Sequence, residues 1–396
     1  MNEKSRRLRV AYFAHDWGDA AIGRRVAGFA RDRIDVAGFA SYRTDTTRPG
    51  WVSVDLGQTY DNGYFQRLQA ILRGAKKAQI PALADADLIV ARNLDMLLTA
   101  LRARRQARLA TPVIYECLDI HRFVARQDRI GTLFRTVERH ALRNCAGHWV
   151  SSPAFLTEHF ERHYPKAKGA QLLENRLQAR IGVRPNKFKP IGEKLRIGWF
   201  GNLRCARSLR LLSRLSKQFE DRVEIVLRGY PAQAEIPDFD HVVNAHPNVT
   251  YGGRYHWPDE LGSIYDQVDL VWAGDFMDAG LNSQWLLPNR LYEGGWYGCP
   301  PVAPAASQTG QWIVAQESGF VLEEPLEETL PRFIDRVLKN PKVIAAARCR
   351  LLELPDTVFV EPPGTLARLV KEAIRSQKPR FSKSISQTEA SIASSA

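Results

Sequence analysis

Short apolar runs rich in β-branched residues alternate with longer helix-like segments along most of this chain. This order is typical of a parallel sheet built from βαβ units, in which each strand needs a helical crossover before the next. Parallel strands buried on both faces are continuous apolar runs rather than alternating ones. The sequence therefore predicts an α/β protein with strands near residues 10–14, 36–40, 87–91, 113–116, 148–151, 195–200, 223–227, 249–252, 268–273, 301–303 and 320–322.

These runs fall into two groups, separated by a basic, proline-containing segment. Residues 176–194 hold Pro185, Pro190 and six basic residues against one acid, which is typical of a linker. Near the C-terminus, a Pro-Pro pair precedes one more helical stretch, and the Ser- and Lys-rich end lacks apolar periodicity. We expect a Rossmann-like domain over 1–177, a linker over 178–194, a second Rossmann-like domain over 195–362, a helix over 363–376 and a disordered tail over 377–396.

Composition and charge exclude several classes of protein. The most apolar long stretch, residues 82–101, carries three Asp and one Arg, too many charges for a membrane span. The apolar run behind the basic start is only 10–14, too short for a secretory signal, so we expect mature protein there. The five cysteines form no C-x-x-C pair, which favours a reducing compartment. A net charge of +13 indicates an anionic partner: nucleic acid, a phosphorylated molecule or an acidic membrane.

The strongest functional signal lies in residues 281–303. Pro288 suits the first turn of a helix and Gly298 suits the position just past its end, so a helix of about ten residues is predicted. Its N-terminus, following a parallel strand, offers N–H groups to a phosphate. Glu293 lies near its middle, where a carboxylate can accept hydrogen bonds from both ribose hydroxyls of a nucleotide. A solvated charge is the alternative for Glu293.

A second signal follows the first strand after the linker. Gly201 permits a tight turn where this strand is expected to end, and Asn202 follows it. Arg204 and Arg207 lie at the start of the next helix and could hold a diphosphate through paired N–H groups. They could equally belong to a basic solvent-facing surface.

Three loops of the first half carry polar residues, each after the predicted end of a strand. They hold His15 and Asp16, then Asn93, and then Asp119 with His121. The carboxyl ends of parallel strands meet at one edge of a sheet, so these loops are expected to converge on the cleft between the domains. A carboxylate or imidazole there can act as a general base on an acceptor hydroxyl. Helix-capping or turn roles are the alternative for each.

The chain resembles the GT-B glycosyltransferases, the GT4-like group in particular. The resemblance covers about residues 8–375 and rests on the two α/β halves, on Gly-Asn-Leu-Arg at 201–204 and on Leu-Tyr-Glu-Gly-Gly-Trp-Tyr-Gly-Cys-Pro-Pro-Val at 291–302. Tyr-Phe-Ala-His-Asp at 12–16, Val-Ala-Arg-Asn-Leu-Asp at 90–95, Val-Ile-Tyr-Glu-Cys-Leu-Asp-Ile-His at 113–121 and Ser-Ser-Pro-Ala-Phe at 151–155 are similar to succinoglycan-type exopolysaccharide glucosyltransferases. It implies a GT-B fold, in which two Rossmann-like parallel-sheet domains face an interdomain cleft.

The resemblance also implies a donor site. In GT4-like enzymes a glutamate just ahead of a Gly-x-Pro-Val turn binds the donor ribose, and a basic pair neutralises the diphosphate. A second glutamate usually lies eight positions before the first, and Trp285 stands there in this chain. The donor-binding residues that we expect are Glu293, Arg204, Arg207, Gly201, Asn202, Asn282, Ser283, Asn289 and Arg290.

Similarity to enzymes that build β-linkages from UDP-glucose implies an inverting, metal-independent transfer without a cofactor. The expected bases are Asp119, then Asp16, then His121 or His15, with Asn93 binding the acceptor. The expected acceptor is a polyprenyl-diphosphate-linked oligosaccharide at the inner face of the plasma membrane, in a cytoplasmic protein. An Arg-rich helix over 101–108 would then lie against anionic lipid.

Other functions stay open at this point. A retaining GT-B transferase that uses another donor, such as GDP-mannose, has the same fold, and so does an inactive protein that only binds a nucleotide sugar. The high basic charge also suits a nucleic-acid-binding protein, but the chain has no recognisable reader module, so we expect no nucleic acid partner.

Overall fold

Two parallel β-sheets, one from each half of the sequence, organise the chain. The computed structural model describes residues 6–43, 47–59, 64–78, 81–178, 182–185, 192–278 and 281–376. The predicted tail over 377–396 and much of the predicted linker lie outside the described residues. This architecture, together with the neighbouring structures described below, confirms the predicted two-domain α/β fold.

The first sheet has seven strands in the order β3-β2-β1-β4-β5-β6-β7. Every pairing in it is parallel, and β1, β4 and β5 are buried along almost their whole length, which explains their continuous apolar sequences. The strands are β1 Arg9–Ala14, β2 Asp35–Tyr42, β3 Val52–Gln58, β4 Leu88–Arg92, β5 Val113–Cys117, β6 Gly147–Val150 and β7 Ala170–Leu172.

The second sheet has six strands in the order β10-β9-β8-β11-β12-β13, again all parallel. This is the Rossmann order 3-2-1-4-5-6, and each sheet has a switch point beside its first strand, where a crevice opens at the carboxyl ends. The strands are β8 Leu195–Leu203, β9 Val223–Pro231, β10 Val249–Tyr251, β11 Leu270–Trp272, β12 Pro301–Pro304 and β13 Phe320–Leu322.

Helices cover both faces of each sheet. In the first half they are α1 Ala20–Arg31, α2 Tyr64–Lys77, α3 Pro81–Ala84, α4 Asn93–Gln106, α5 Arg122–Ala125 and α6 Arg129–Leu142, with a π-helical segment at Phe155–Glu161. In the second half they are α7 Ala206–Gln218, α8 Phe239–Asn244, α9 Leu261–Asp266, α10 Asn282–Trp285, α11 Asn289–Trp296, α12 Gln308–Ala315, α13 Leu326–Lys339, α14 Lys342–Glu353 and α15 Thr365–Ser376, with a 3₁₀ turn at Asp356–Val358.

Three details differ from the sequence prediction. Strands β3 and β7 were not predicted, because they lie at the two edges of the first sheet and are only partly buried, so neither is a continuous apolar run. The predicted end of β8 near residue 200 was also wrong. Gly201, with φ +98°, stays inside β8 and pairs with Gly229, so the strand continues to Leu203.

The C-terminal helix α15 packs on the first domain rather than on the second. Its apolar face, Leu366, Leu369 and Val370, joins the same buried cluster as β1 residues such as Val10 and Tyr12. The chain therefore crosses between the domains twice. The two crossings pair through the backbone, since the N–H of Leu177 donates to the Phe359 carbonyl and the N–H of Glu361 donates to the Leu177 carbonyl.

Asp32, at the end of α1, holds the start of this returning helix. Its carboxylate accepts hydrogen bonds from the backbone N–H groups of Gly364, Leu366 and Ala367 at 2.9, 2.9 and 3.2 Å. Burial alone would raise the pKa of Asp32, but the hydrogen bonds from Arg31 and from this backbone outweigh burial and lower the pKa.

We expect Asp32→Asn to lower the free energy of unfolding by about 1 kcal/mol at pH 7, because the charge that caps α15 is lost. The folded-state pKa lies below the unfolded value, so this stabilisation is complete at neutral pH. It is lost as pH falls below about 4, through the folded-state pKa. Urea unfolding at pH 7, 5 and 3 measures the difference from wild type. Asp35→Asn, at an exposed carboxylate, is the control, and a difference that does not depend on pH would contradict the capping role.

Candidate active site

Loops at the carboxyl ends of both sheets meet in the cleft between the domains. The side-chain oxygen of Asn282 accepts from the backbone N–H of Ile120, which follows β5, and its amide donates to Asp119 Oδ1 at 3.3 Å. The Ser152 hydroxyl, after β6, donates to the carbonyl of Trp285. The structure thus brings the predicted base Asp119 and the predicted donor residue Asn282 together, although each belongs to a different domain.

Glu293 lies in the middle of α11, and its side chain is buried against the opposite domain. The helix begins after Pro288 and is followed by Gly298 at φ +68°, close to the predicted bounds. Glu293 is 3% exposed. Its Oε1 accepts from Arg24 Nη2 at 2.6 Å, and its Oε2 accepts from the Tyr265 hydroxyl at 3.2 Å. The carboxylate is therefore a buried charge held in place, and the solvated alternative is excluded.

Arg24 is a site residue that the sequence analysis missed. It lies on α1 of the first domain, fully buried, and its Nη1 donates to the carbonyl of Asn175 at 2.8 Å. The amide of Asn175 in turn donates to Asn289 Oδ1 at 2.7 Å. A sequence signal did exist, because Arg24 lies three residues after Ala21 and four before Gly28, which places all three on the buried face of α1.

The predicted diphosphate ligands have different surroundings. Arg204 donates through Nε and Nη2 to Asp275 Oδ2 at 3.1 and 3.0 Å. The other oxygen of Asp275 accepts from the hydroxyl of Ser283, a residue predicted to bind the donor. Burial opposes ionisation, but the charge of Arg204 outweighs it and lowers the pKa of Asp275. Arg204 is thus held at the cleft in a neutralised pair.

Arg207 lies in a surface cluster on the outer side of α7. Both arms of its guanidinium donate to carboxylates of Glu324 and Glu327 at 2.8–3.2 Å, and the group stacks over Phe276. The charge of Arg207 is matched by two acids. Its contacts are therefore those of a basic surface residue, which is the alternative that the sequence analysis left open.

Arg290 is the buried cation of this region that makes no ion pair among the described residues. It lies on the first turn of α11, its Nη1 donates to the Phe200 carbonyl at 2.9 Å, and its buried Nε has no partner among the described residues. Burial lowers the pKa of Arg290. Gly201 and Asn202, two of the predicted donor residues, directly follow Phe200 in β8.

His15 and Asn93, from two different loops, meet on the first-domain side of the cleft. Asn93 Nδ2 lies 3.4 Å from His15 Nδ1. Burial lowers the pKa of His15 to about 4, so the ring is neutral at pH 7. Asn93 has φ +67°, a strained conformation for a residue other than glycine, and its buried Oδ1 has no partner among the described residues. These features suit a residue that binds a ligand.

Asp16 and His121 have local partners. Asp16 accepts from the N–H of Gly18 at 3.0 Å, and burial raises its pKa. His121 Nδ1 accepts from the N–H of Phe123 at the start of α5, and its ring stacks with Phe134. The contacts of His121 are those of a helix cap. Asp16 has the contacts of a turn and also lies 4.0 Å from Arg43 Nε.

Trp285, at the position where the resemblance implies a second glutamate, serves in domain packing. Together with Leu281 and Leu286, it packs against the hydrophobic core of the first domain. A large apolar side chain at this place therefore buries apolar surface between the domains.

The sequence relative supports the same family. No family model matches the chain. The succinoglycan biosynthesis protein ExoL of Rhizobium meliloti (strain 1021) is 38% identical over 356 residues, which cover 86% of this chain and 87% of ExoL. The chain belongs to the succinoglycan-type glycosyltransferases of the GT-B fold. The match covers 86% of this chain and is therefore long enough to include most of both domains.

Solved structures of low sequence identity share the fold of this glycosyltransferase. HepE of Anabaena, in complex with UDP and glucose, has a TM-score of 0.68 at 14% identity, covering 93% of this chain and 99% of HepE. Sucrose-phosphate synthase of Thermosynechococcus elongatus has a TM-score of 0.66 at 15% identity, covering 92% and 97%. Coverage of more than nine-tenths of each chain shows that the shared fold extends over both domains.

Proposed function

We propose that this glycosyltransferase moves a hexose, glucose being the sugar that we expect, from a UDP-sugar to a lipid-linked oligosaccharide during exopolysaccharide synthesis. The observation that carries the proposal is the buried carboxylate of Glu293, which lies on α11 in the cleft between two Rossmann-like domains. The name of ExoL and the UDP in the HepE structures support the pathway and the nucleotide.

On the donor side, Glu293 would accept hydrogen bonds from the two ribose hydroxyls. The adjoining Arg290, which makes no ion pair among the described residues, and the N–H groups of the first turn of α11 would offset the charge of the diphosphate. Among the described residues, no three His, Cys, Asp or Glu side chains come together as ligands for a metal ion.

On the acceptor side, Asp119 would act as the general base. Its carboxylate takes the proton of the acceptor hydroxyl while the oxygen attacks the anomeric carbon. The bond from that carbon to the diphosphate oxygen breaks, and its electron pair leaves with UDP, so the configuration inverts. Asn282 holds Asp119 Oδ1, which leaves Oδ2 for the hydroxyl.

A basic and apolar surface on α4 and α6 would contact the membrane. The two helices pack against each other. Arg102, Arg105 and Arg108 are exposed on and just after α4, and Ile130 and Leu133 are 44% and 62% exposed on α6. Exposed cations and exposed aliphatic side chains on two packed helices are groups that bind anionic lipid headgroups. No helix in the described part of the chain is long and apolar enough to cross a bilayer.

We expect Glu293→Gln to weaken UDP binding at least tenfold, because a neutral amide accepts hydrogen bonds from the ribose diol less strongly than a carboxylate. Calorimetric titration with UDP, GDP and NAD measures this loss and the preference for the base. Glu324→Gln, at an exposed carboxylate of the second domain, is the matched control. UDP affinity equal to wild type in Glu293→Gln would remove the proposed donor site, and tighter binding of GDP would favour a GDP-sugar donor.

We expect Asp119→Asn to lower kcat by about 10²–10⁴ without changing UDP affinity, because the base acts only on the acceptor. Asp16→Asn is the comparison, and its effect should be far smaller since its carboxylate serves a turn. Proton NMR of the product establishes the anomeric configuration. An α-linked product would contradict inversion and support the retaining alternative, whereas UDP binding with no turnover on any acceptor would support the inactive one.

We expect Arg102→Ser, Arg105→Ser and Leu133→Ser together to weaken binding to vesicles with anionic lipid. The loss should be about fivefold for each arginine, which corresponds to about 1 kcal/mol. Vesicle co-sedimentation at two salt concentrations measures it. Arg210→Ser with Arg214→Ser removes two exposed charges from the other domain and is the control. Equal losses in both variants would mean that net charge, not this surface, directs the protein to lipid.

A further inference from the structure

The two oxygens of Glu293 are held from different domains. Oε2 accepts from Tyr265, which lies on α9 of the same domain and moves with Glu293. Oε1 accepts from Arg24, on α1 of the opposite domain. Arg24 is therefore the partner that can be exchanged without rearranging the second domain itself.

Arg24 fills the space beside Oε1. Its side chain is fully buried, and the rings of Trp257 lie 5.3 Å from the guanidinium carbon. Its second arm reaches Asn175, which also binds Asn289, one turn before Glu293 on α11. The guanidinium thus spans the surface of α11 that contains Glu293.

This position conflicts with the role that we proposed for Glu293. A ribose presents two vicinal hydroxyls, which need both carboxylate oxygens as acceptors. Because Glu293 and Arg24 are almost completely shielded from solvent, no sugar hydroxyl reaches Oε1 while Arg24 stays in place. The ion pair and ribose binding therefore exclude each other.

The exchange is energetically feasible. Burying two charges costs several kcal/mol of lost hydration, which offsets most of their mutual attraction. Removing one partner alone leaves an uncompensated buried charge, so Arg24 can leave only when the ribose hydroxyls take its place on Glu293. The Nε of Arg24 has no partner among the described residues, so the buried guanidinium is incompletely satisfied. Two ribose hydroxyls can then compete for the carboxylate.

We propose that Arg24 is a positioning residue that covers the carboxylate of Glu293, and that the ribose hydroxyls of an incoming nucleoside diphosphate displace Arg24 from this carboxylate. The proposal rests on the proposed ribose role of Glu293. Molecules with the pair intact do not accept the ribose, so the apparent affinity is reduced by the fraction of competent molecules. Because the pair joins the two domains, donor exchange is also linked to the contact between them.

Other arginines of α1 do not have this role. Arg25 and Arg31 reach Glu361, on the returning segment that leads into α15. That segment packs with the first domain. These ion pairs therefore fix the returning segment and do not contact α11. Arg31 is therefore a control of the same residue type on the same helix.

The test is calorimetric titration of UDP and of 2′,3′-dideoxy-UDP into wild type, Arg24→Met, Arg24→Lys, Glu293→Gln and Arg31→Met. We expect Arg24→Met to bind UDP roughly tenfold more tightly. This is the gain expected when the ion pair blocks the ribose site in about nine molecules of ten. The gain should vanish for the dideoxy nucleotide, which has no hydroxyls to compete for Glu293. Arg24→Lys, which keeps a charge, should resemble wild type, and so should Arg31→Met.

Weaker UDP binding by Arg24→Met would overturn the proposal, because Arg24 would then contact the donor directly. Unchanged binding, or an equal gain for both nucleotides, would show a purely structural role and also overturn it. If Arg24→Met does not fold, Arg24→Gln is titrated in its place. Failure of the proposed donor site is a separate result: wild type then binds UDP and 2′,3′-dideoxy-UDP equally tightly, whatever the Arg24 variants do.

Discussion

The burial of two consecutive arginines on one helix is the interaction on which the arrangement of this protein depends. Arg24 reaches across to Glu293, and Arg25 donates to Glu116 at the end of β5 and to Glu361 on the returning segment. A buried charge is tolerated only with a partner, because its hydration is lost. Helix α1 therefore contacts three places at once: the end of β5, the segment that returns to the first domain and α11 of the second domain.

The same requirement organises the core of the first domain. Burial alone would raise the pKa of Glu116, but the charges of Arg92 and Arg25 outweigh burial and lower it to about 2, so the carboxylate stays ionised. Tyr12 adds a hydrogen bond at 2.9 Å. Residues of this network directly precede the segments that carry His15, Asn93 and Asp119, and a buried, hydrogen-bonded ionic network at that place gives those segments a rigid base.

Much of the fold could be predicted from the residues, and less of the site. Buried central strands are continuous apolar runs, and Pro288 with Gly298 brackets α11, because both signals depend on local sequence. The edge strands β3 and β7 lack that signal, since one side of each has no neighbouring strand. At the cleft, Asp119 and Asn282 are 163 residues apart in sequence, and no local pattern indicates that their side chains meet.

The sequence by itself determined the α/β class, the division into two similar halves and the placing of Glu293 on a short helix after a parallel strand. Apolar periodicity, proline and glycine act over a few residues, so the local sequence is enough to predict these features. Only the tertiary structure decided which charges are matched. Arg207 pairs with Glu324 and Glu327, Arg204 pairs with Asp275, and Arg290 has no acidic partner in the described part of the chain. The partner of an ionic side chain is set by the packing of distant segments, and that packing gave Glu293 a guanidinium from the opposite domain.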